Sequence, residues 1–262
     1  MARLFHLCLC IGCLAGTLGT TALAQQAVYS MEAAAVNSVP LPDGPITHVN
    51  ARPGDVLTLD VFLRDWSPGG DHLNAYQMQL EPMDFRSGSA GSIKPVDYDA
   101  KRERGEMNLD NCLVNQNDPR WLFAGKQTIT IIDTRSAGYR WMSVLVDTSD
   151  ARACEQDGVK HYAGTVHMAV SDDALGTFTI GFMEDPSASL LLDERGVGIT
   201  PLAFETLTVE ILPDVLSVID ALNGAEEAPV VRGDVDGDGK LAHEDARKAI
   251  DMLNGKGGEP AP

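Results

Sequence analysis

The sequence predicts a mainly β chain: a two-layer antiparallel sandwich followed by a small two-helix module built around an EF-hand-type loop. Two observations carry this. Between residues 46 and 212, short runs alternate apolar and polar residues and are separated by turn signals. After Pro213 the period changes to that of a helix, and four aspartates recur at fixed spacing with a glycine among them.

Residues 1–24 read as a signal peptide. Arg3 supplies the basic start, LFHLCLCIGCLAG is the apolar stretch, and Ala-Leu-Ala before Gln25 fits a small-residue cleavage site. The expected location is secreted and extracellular, with cell-surface association as a variant of it. This leader holds Arg3 and no acid, so its removal takes the net charge from −18 to −19. Such an acidic chain disfavours nucleic acid and anionic membranes as partners and favours divalent cations or basic surfaces.

Three cysteines leave with the leader, and Cys112 and Cys154 remain. An even pair in an oxidising compartment is most simply one disulfide. It closes a loop of about 42 residues, worth roughly 4 kcal/mol on the chain-entropy account. Two unpaired or metal-bound thiols are the alternative.

Residues 25–45, with Pro40, Pro42 and Pro45, read as an N-terminal lead-in, and the sandwich is expected over 46–212. DVLTLDVFL places Leu57, Leu59, Val61 and Leu63 on one face. AYQMQLE does the same with Tyr76, Met78 and Leu80. QTITIID and YRWMSVLVD follow, then GTVHMAV with Val166, Met168 and Val170, GTFTIGF with Phe178, Ile180 and Phe182, and ETLTVEIL with Leu207, Val209 and Ile211. One-face alternation over about seven strands describes two packed antiparallel layers, of jelly-roll or immunoglobulin-like topology. The polar stretch 97–111 is an insertion with some helical character.

Two copies of one pattern follow. DVLSVIDALNG (214–224) and DARKAIDMLNG (245–255) match in their Asp starts, apolar stripes and Asn-Gly ends. Val215, Val218, Ile219 and Leu222, and Ala246, Ala249, Ile250 and Leu253, each fall on one helical stripe. The Asp is expected at the N-cap and Asn-Gly at the stop. Helices this short need each other. The module is therefore expected over 213–255, with a flexible tail at 256–262.

Between the helices lies DVDGDGKLAHED. Asp234, Asp236 and Asp238 stand at loop positions 1, 3 and 5, Gly239 at 6, Lys240 at 7 and Asp245 at 12. Alternate residues of a tight loop aim three carboxylates inward, glycine permits the turn, Lys240 offers its backbone carbonyl and Asp245 closes the cage. The expected cofactor is Ca²⁺. Ala242 at position 9 has no side-chain oxygen, so water fills that place.

The Asp-Val-Asp-Gly-Asp-Gly loop, its closing Asp245 and the IDMLNG helix resemble a dockerin type I repeat. Only one calcium loop is present, because the positions 31 residues upstream read as strand. The resemblance implies Ca²⁺-dependent docking to a cohesin, with recognition at loop positions 10 and 11, here His243 and Glu244. ARPGDVLTLDVFLRD, LNAYQMQLE and the stretch from GTFTIGF to TLTVEIL make 46–212 similar to a cohesin-like β-sandwich. That implies a nine-stranded jelly roll that binds another protein and has no catalytic role. The expected function is thus a secreted, non-catalytic, calcium-binding protein whose partner is of cohesin or dockerin type.

The alternative is a carbohydrate-binding β-sandwich with a structural calcium and polysaccharide as ligand. Tyr139 and Trp141 would share a strand face as its aromatic platform. Core placement is the competing expectation for Trp141. Hydrolase signatures H-E-x-x-H, G-x-S-x-G and the P-loop are absent from the sequence. His161 and His167 are expected to face solvent on their strand. Glu184, Asp185, Asp193 and Glu194 are expected to form a solvated rim, with a second Ca²⁺ as the alternative.

Overall fold

The computed structural model describes residues 26–66, 72–81, 90–96, 112–133, 140–153, 158–212 and 242–254. In chain order the strands are β1 (Ala27–Val36), β2 (Val39–Pro40), β3 (His48–Ala51), β4 (Val56–Arg64), β5 (His72–Gln79), β6 (Ile93–Pro95), β7 (Cys112–Leu113), β8 (Thr128–Asp133), β9 (Arg140–Leu145), β10 (Arg152–Ala153), β11 (His161–Val170), β12 (Gly176–Ile180), β13 (Leu190–Asp193), β14 (Leu202–Phe204) and β15 (Leu207–Ile211). A 3-10 turn covers Thr148–Asp150, and one α-helix, α1, covers His243–Leu253.

One sheet runs β14-β1-β4-β11-β6, with β2 on β1 and β7 on β11. A second runs β10-β5-β9-β8, with β13 also on β5, and a third runs β12-β15-β3. Inward side chains of all three meet in one hydrophobic cluster. The alternation read from sequence does this work: Leu57, Leu59, Val61 and Leu63 of β4, Tyr76 and Met78 of β5, and Val166 and Met168 of β11 are buried. So are Phe178, Ile180, Leu207, Val209 and Ile211. Mainly β, in packed layers, is the architecture observed.

Three features differ from the sequence expectation. Residues 27–36, inside the stretch read as a lead-in, form the ten-residue strand β1. Ala27–Met31 are all buried and Ala33–Ala35 are small, so no polar/apolar alternation marks the strand. Two pairings are parallel, β1 with β14 and β15 with β3, where only antiparallel ones were expected. Finally, the two-helix module is represented among the described residues by α1 alone; the helix expected at 214–224 and the insertion at 97–111 lie outside them.

Tyrosines join the layers. The Tyr29 hydroxyl on β1 donates to the Leu190 carbonyl at 3.1 Å, while the Tyr76 hydroxyl on β5 donates to the Ala163 carbonyl at 2.6 Å. Burial pushes the Tyr29 phenol well above its ordinary range, which keeps it a neutral donor.

Candidate docking face and calcium loop

The second sheet turns Tyr76, Trp141, Leu145 and Leu191 into the core. Its opposite face follows from register. Ile129 of β8 lies across from Val144 of β9, which lies across from Ala75 of β5, which lies across from Leu192 of β13. Two residues along, the row is Ile131, Met142, Gln77 and Leu190. Residues directly opposite share a face, and neighbouring strands lie about 4.8 Å apart, so the rows cross the sheet over about 14 Å. Seven of the eight positions are apolar. Ile129 and Ile131 are 54% and 41% exposed, and Met142, Val144, Leu190 and Leu192 are half-buried. A solvated sheet face ordinarily carries polar residues at such positions.

The one polar member is anchored. Gln77 Nε2 donates to the Ser187 carbonyl at 2.8 Å and to the Ala188 carbonyl at 3.0 Å, holding the 183–189 loop beside β5. Past β13 the apolar surface continues into a cleft of about 330 Å³, lined by Pro186, Leu190, Leu192, Ile199, Leu202 and Phe204 among others. Phe204 stacks on Tyr29 at 5.7 Å between ring centres, which fixes the cleft wall.

The first sheet presents a polar outer surface instead. Glu32, Asp60 and Thr165 stand in one cross-strand row. Glu32 pairs with Lys160. Thr165 Oγ1 donates to Asp60 at 2.6 Å, and Arg120 reaches Asp118 at 2.8 Å and Asp60 at 3.7 Å. The Arg120 guanidinium also lies over the rings of Phe62 and Tyr162, at 5.6 and 5.8 Å from their centres. Burial raises the Asp60 carboxyl above its ordinary value, and the Thr165 hydroxyl and Arg120 only partly oppose this. Cations and hydroxyl donors match these carboxylates, so the network seals the surface over Phe62.

Several sequence expectations meet the structure here. Trp141 is fully buried and forms no platform; Tyr139 lies outside the described residues. His167 is on the opposite face from Val166 and Met168, as expected, and its Nδ1 is 3.1 Å from Thr58 Oγ1. His161 departs from expectation: it is buried, with its ring 5.1 Å from that of Trp66. A register shift between Tyr162 and Gly164 follows it on β11. The acidic rim departs at one residue: Glu184 and Asp185 are exposed as expected, and Asp193 is not. Asp193 is buried and accepts from the N–H groups of Arg195 and Val197, both at 2.8 Å, and Asp185 accepts from the Ser187 N–H at 2.7 Å. These carboxylates cap turns, and among the described residues no cluster of three His, Cys, Asp or Glu side chains has metal-binding geometry.

Of the residues expected to hold calcium, Asp234, Asp236, Asp238 and Lys240 lie outside the described residues. Asp245 is described and is 1% exposed. Its Oδ2 accepts the Ala242 N–H at 2.7 Å, and its own N–H donates to the Ala242 carbonyl at 3.1 Å. The helix therefore starts two residues before the place read from sequence, and Asp245 sits in its first turn, where a side chain reaches back to the N-cap amide. Ala249 is buried, while Ile250, expected on the same stripe, is 44% exposed. His243 and Glu244 are exposed. Cys112 lies in β7 across from Val166, and Cys154 lies outside the described residues.

No family model matches the chain, and no curated protein matches it. Solved structures do. The chain is similar to a type II cohesin domain from the cellulosome of Acetivibrio cellulolyticus, at 10% identity and a TM-score of 0.42, over 70% of this chain and 95% of that one. It is similar to a chain of a type I cohesin–dockerin complex from Clostridium thermocellum, at 16% identity and a TM-score of 0.35, over 70% and 99%. A cohesin module of a family 33 glycoside hydrolase from Clostridium perfringens aligns at 8% identity and a TM-score of 0.35, over 71% and 97%. The architecture given above rests on the chain's own strand order and register.

Proposed function

We propose that this chain is a secreted, non-catalytic docking protein of the cohesin and dockerin kind, which binds a protein partner on its sandwich and Ca²⁺ in its C-terminal loop. One observation carries the docking role: the apolar outer rows on β8, β9, β5 and β13, led by the exposed Ile129 and Ile131. Contiguous apolar surface of this kind, continued into a cleft, is costly to leave wet and marks an interaction site. The loop reading rests on the spacing of Asp234, Asp236, Asp238 and Asp245, whose donor set of hard oxygens suits Ca²⁺. His243 and Glu244, exposed on the first turn of α1, are in a position to meet a partner of the tail.

The test is binding of the mature chain to a panel of recombinant dockerin and cohesin modules, with calcium and with chelator. An Ile129→Asp, Ile131→Asp double variant should lose a partner captured by the sandwich while keeping its near-ultraviolet circular dichroism. Capture by a folded double variant at full affinity would refute the assigned face.

A further inference from the structure

The edge of β8, which no strand among the described residues covers, has no part in the docking role above. An edge strand offers unpaired N–H and C=O groups to any other strand, and natural sheets blunt such edges. Four other edge strands among the described residues follow that rule. β6 is three residues long and ends in Pro95; β14 is equally short and follows Pro201; β3 is followed by Arg52 and Pro53. β12 turns Thr177 and Thr179 outward and is flanked by the bridges Ala90–Leu175 and Leu80–Phe182. β8 differs. It is six residues long, has no proline or glycine, carries no charge from Thr128 to Ile132, and among the described residues pairs with β9 alone. The described neighbour that reaches it is the Gln116 side chain, 3.4 Å from Thr128 Oγ1.

The direction of the free groups follows from one bond. Val146 N–H donates to the Gln127 carbonyl at 3.0 Å, in line with the β8–β9 register. Hydrogen-bonding pairs alternate along an antiparallel ladder, so Ile129 and Ile131 bond to β9. Thr128, Thr130 and Ile132 therefore aim their N–H and C=O groups at the open side.

We infer that β8 is a homodimer edge, which a second copy of this chain completes by antiparallel β8–β8 pairing about Thr130. The sequence around Thr130 is self-complementary in that register. Thr130 faces Thr130, Thr128 faces Ile132, and about six interchain backbone hydrogen bonds form from the groups left open. Ile129 faces Ile131 at the two non-bonded pairs, where side chains approach most closely. Gln127 faces Asp133 in that register, and Lys126 is taken by Asp150 of its own chain at 2.6 Å, so the pairing rests on the open backbone groups and the isoleucine contacts. The two-fold axis is normal to the sheet, and the two docking faces become one continuous surface. Against this stands the charge of each copy, −18 over the whole chain, which salt screens.

Sedimentation velocity on the mature chain, from micromolar to near-millimolar concentration and at low and high salt, tests the pairing. The weight-average mass should climb toward twice the monomer's, and the climb should shift to lower concentration as salt rises. Thr130→Pro removes one open-side N–H and also the 2.8 Å contact of Thr130 Oγ1 with Ser143 Oγ, while the backbone bonds to β9 keep their donors and acceptors. It should hold the chain monomeric while partner capture by the outer face persists. Ile131→Lys, pointing outward at the seam, should also hold it monomeric and decides the matter if the proline variant does not fold. A wild-type chain monomeric at every concentration in high salt, or a folded Thr130→Pro variant that still dimerises, overturns the inference.

Discussion

Tyr76 on β5 donates its buried hydroxyl to the Ala163 carbonyl on β11, 2.6 Å away, joining the second sheet to the opposite layer. The carbonyl sits where β11 shifts register against β4, between Tyr162 and Gly164. A buried carbonyl that loses its donor keeps its desolvation cost, of about 1–3 kcal/mol. Tyr76→Phe should therefore lower unfolding stability by that amount in urea titration without changing the m-value. A loss within experimental error would mean that the bond is not what joins the layers.

The same irregularity brings backbone against a ring. A Cβ placed on Gly164 would lie 3.0 Å from Trp141 Nε1. Trp141 is fully buried beneath the apolar outer face of the second sheet, so it has little room to yield. Overpacking of this kind costs about 1–3 kcal/mol. Gly164→Ala should destabilise the chain by that amount and shift tryptophan emission. An unchanged midpoint would show that the ring moves freely.

Two aspartates should tilt the pH dependence of stability in opposite directions. Burial raises the folded-state pKa of Asp60, so the folded chain takes up this proton before the unfolded chain does. Its contribution favours folding as pH falls through that raised pKa. For Asp193, burial also pushes upward, but the Val197 N–H and the Arg195 side chain and backbone outweigh it, and the carboxyl is held below its ordinary value. Its contribution is present above the unfolded-state pKa and is lost as pH falls through the lowered folded one. Asp193→Asn should make the acid loss of stability shallower and Asp60→Asn should make it steeper, measured by urea midpoints across the acid limb. Equal slopes in all three proteins would remove both assignments.

Much of the sandwich is legible in the sequence because β4, β11, β12 and β15 bury alternate residues over most of their length, and β5 alternates its large apolar residues although Ala75–Gln79 are all buried. β1 is not legible, since Ala27–Met31 are buried on both faces and the alternation vanishes. β2, β7 and β10, at two residues each, are below what any period can mark. The apolar outer face is hidden for a different reason. Thr-Ile-Thr-Ile marks a strand but does not say which face is wet, and Ile129 and Ile131 prove to be on the outside. Only register, which joins Ile129 to Val144, Ala75 and Leu192 from four distant segments, brings the rows together. His161 is misread from sequence for a similar reason, since its burial depends on the Trp66 ring from another segment.

The cysteine pair makes a separate prediction. If residues 1–24 are removed as the proposed leader, Cys112 and Cys154 are the two thiols left, and an oxidising compartment would pair them. The mature protein should show no free thiol in denaturant, and reduction should cost roughly 4 kcal/mol of stability. Two titratable thiols in freshly purified protein would exclude the bond.

Calcium should act on α1 through two separable contributions of its acidic residues. Asp245 already caps the helix, because its Oδ2 accepts the Ala242 N–H at 2.7 Å. Loss of such a cap costs about 1 kcal/mol. On the proposed loop reading, a bound ion would add a second contribution by neutralising the carboxylates of Asp234, Asp236, Asp238 and Asp245, and its binding free energy would become folding free energy of the tail. Asp238→Ala should abolish the gain in helical circular dichroism on adding calcium and leave the chelator-treated spectrum as in the wild type. Asp245→Ala should abolish the gain and also lower helicity in chelator, because the cap goes with it. A wild-type chain whose helicity and melting temperature are the same in calcium and in chelator would leave the loop without a metal role, while the cap at Ala242 would stand.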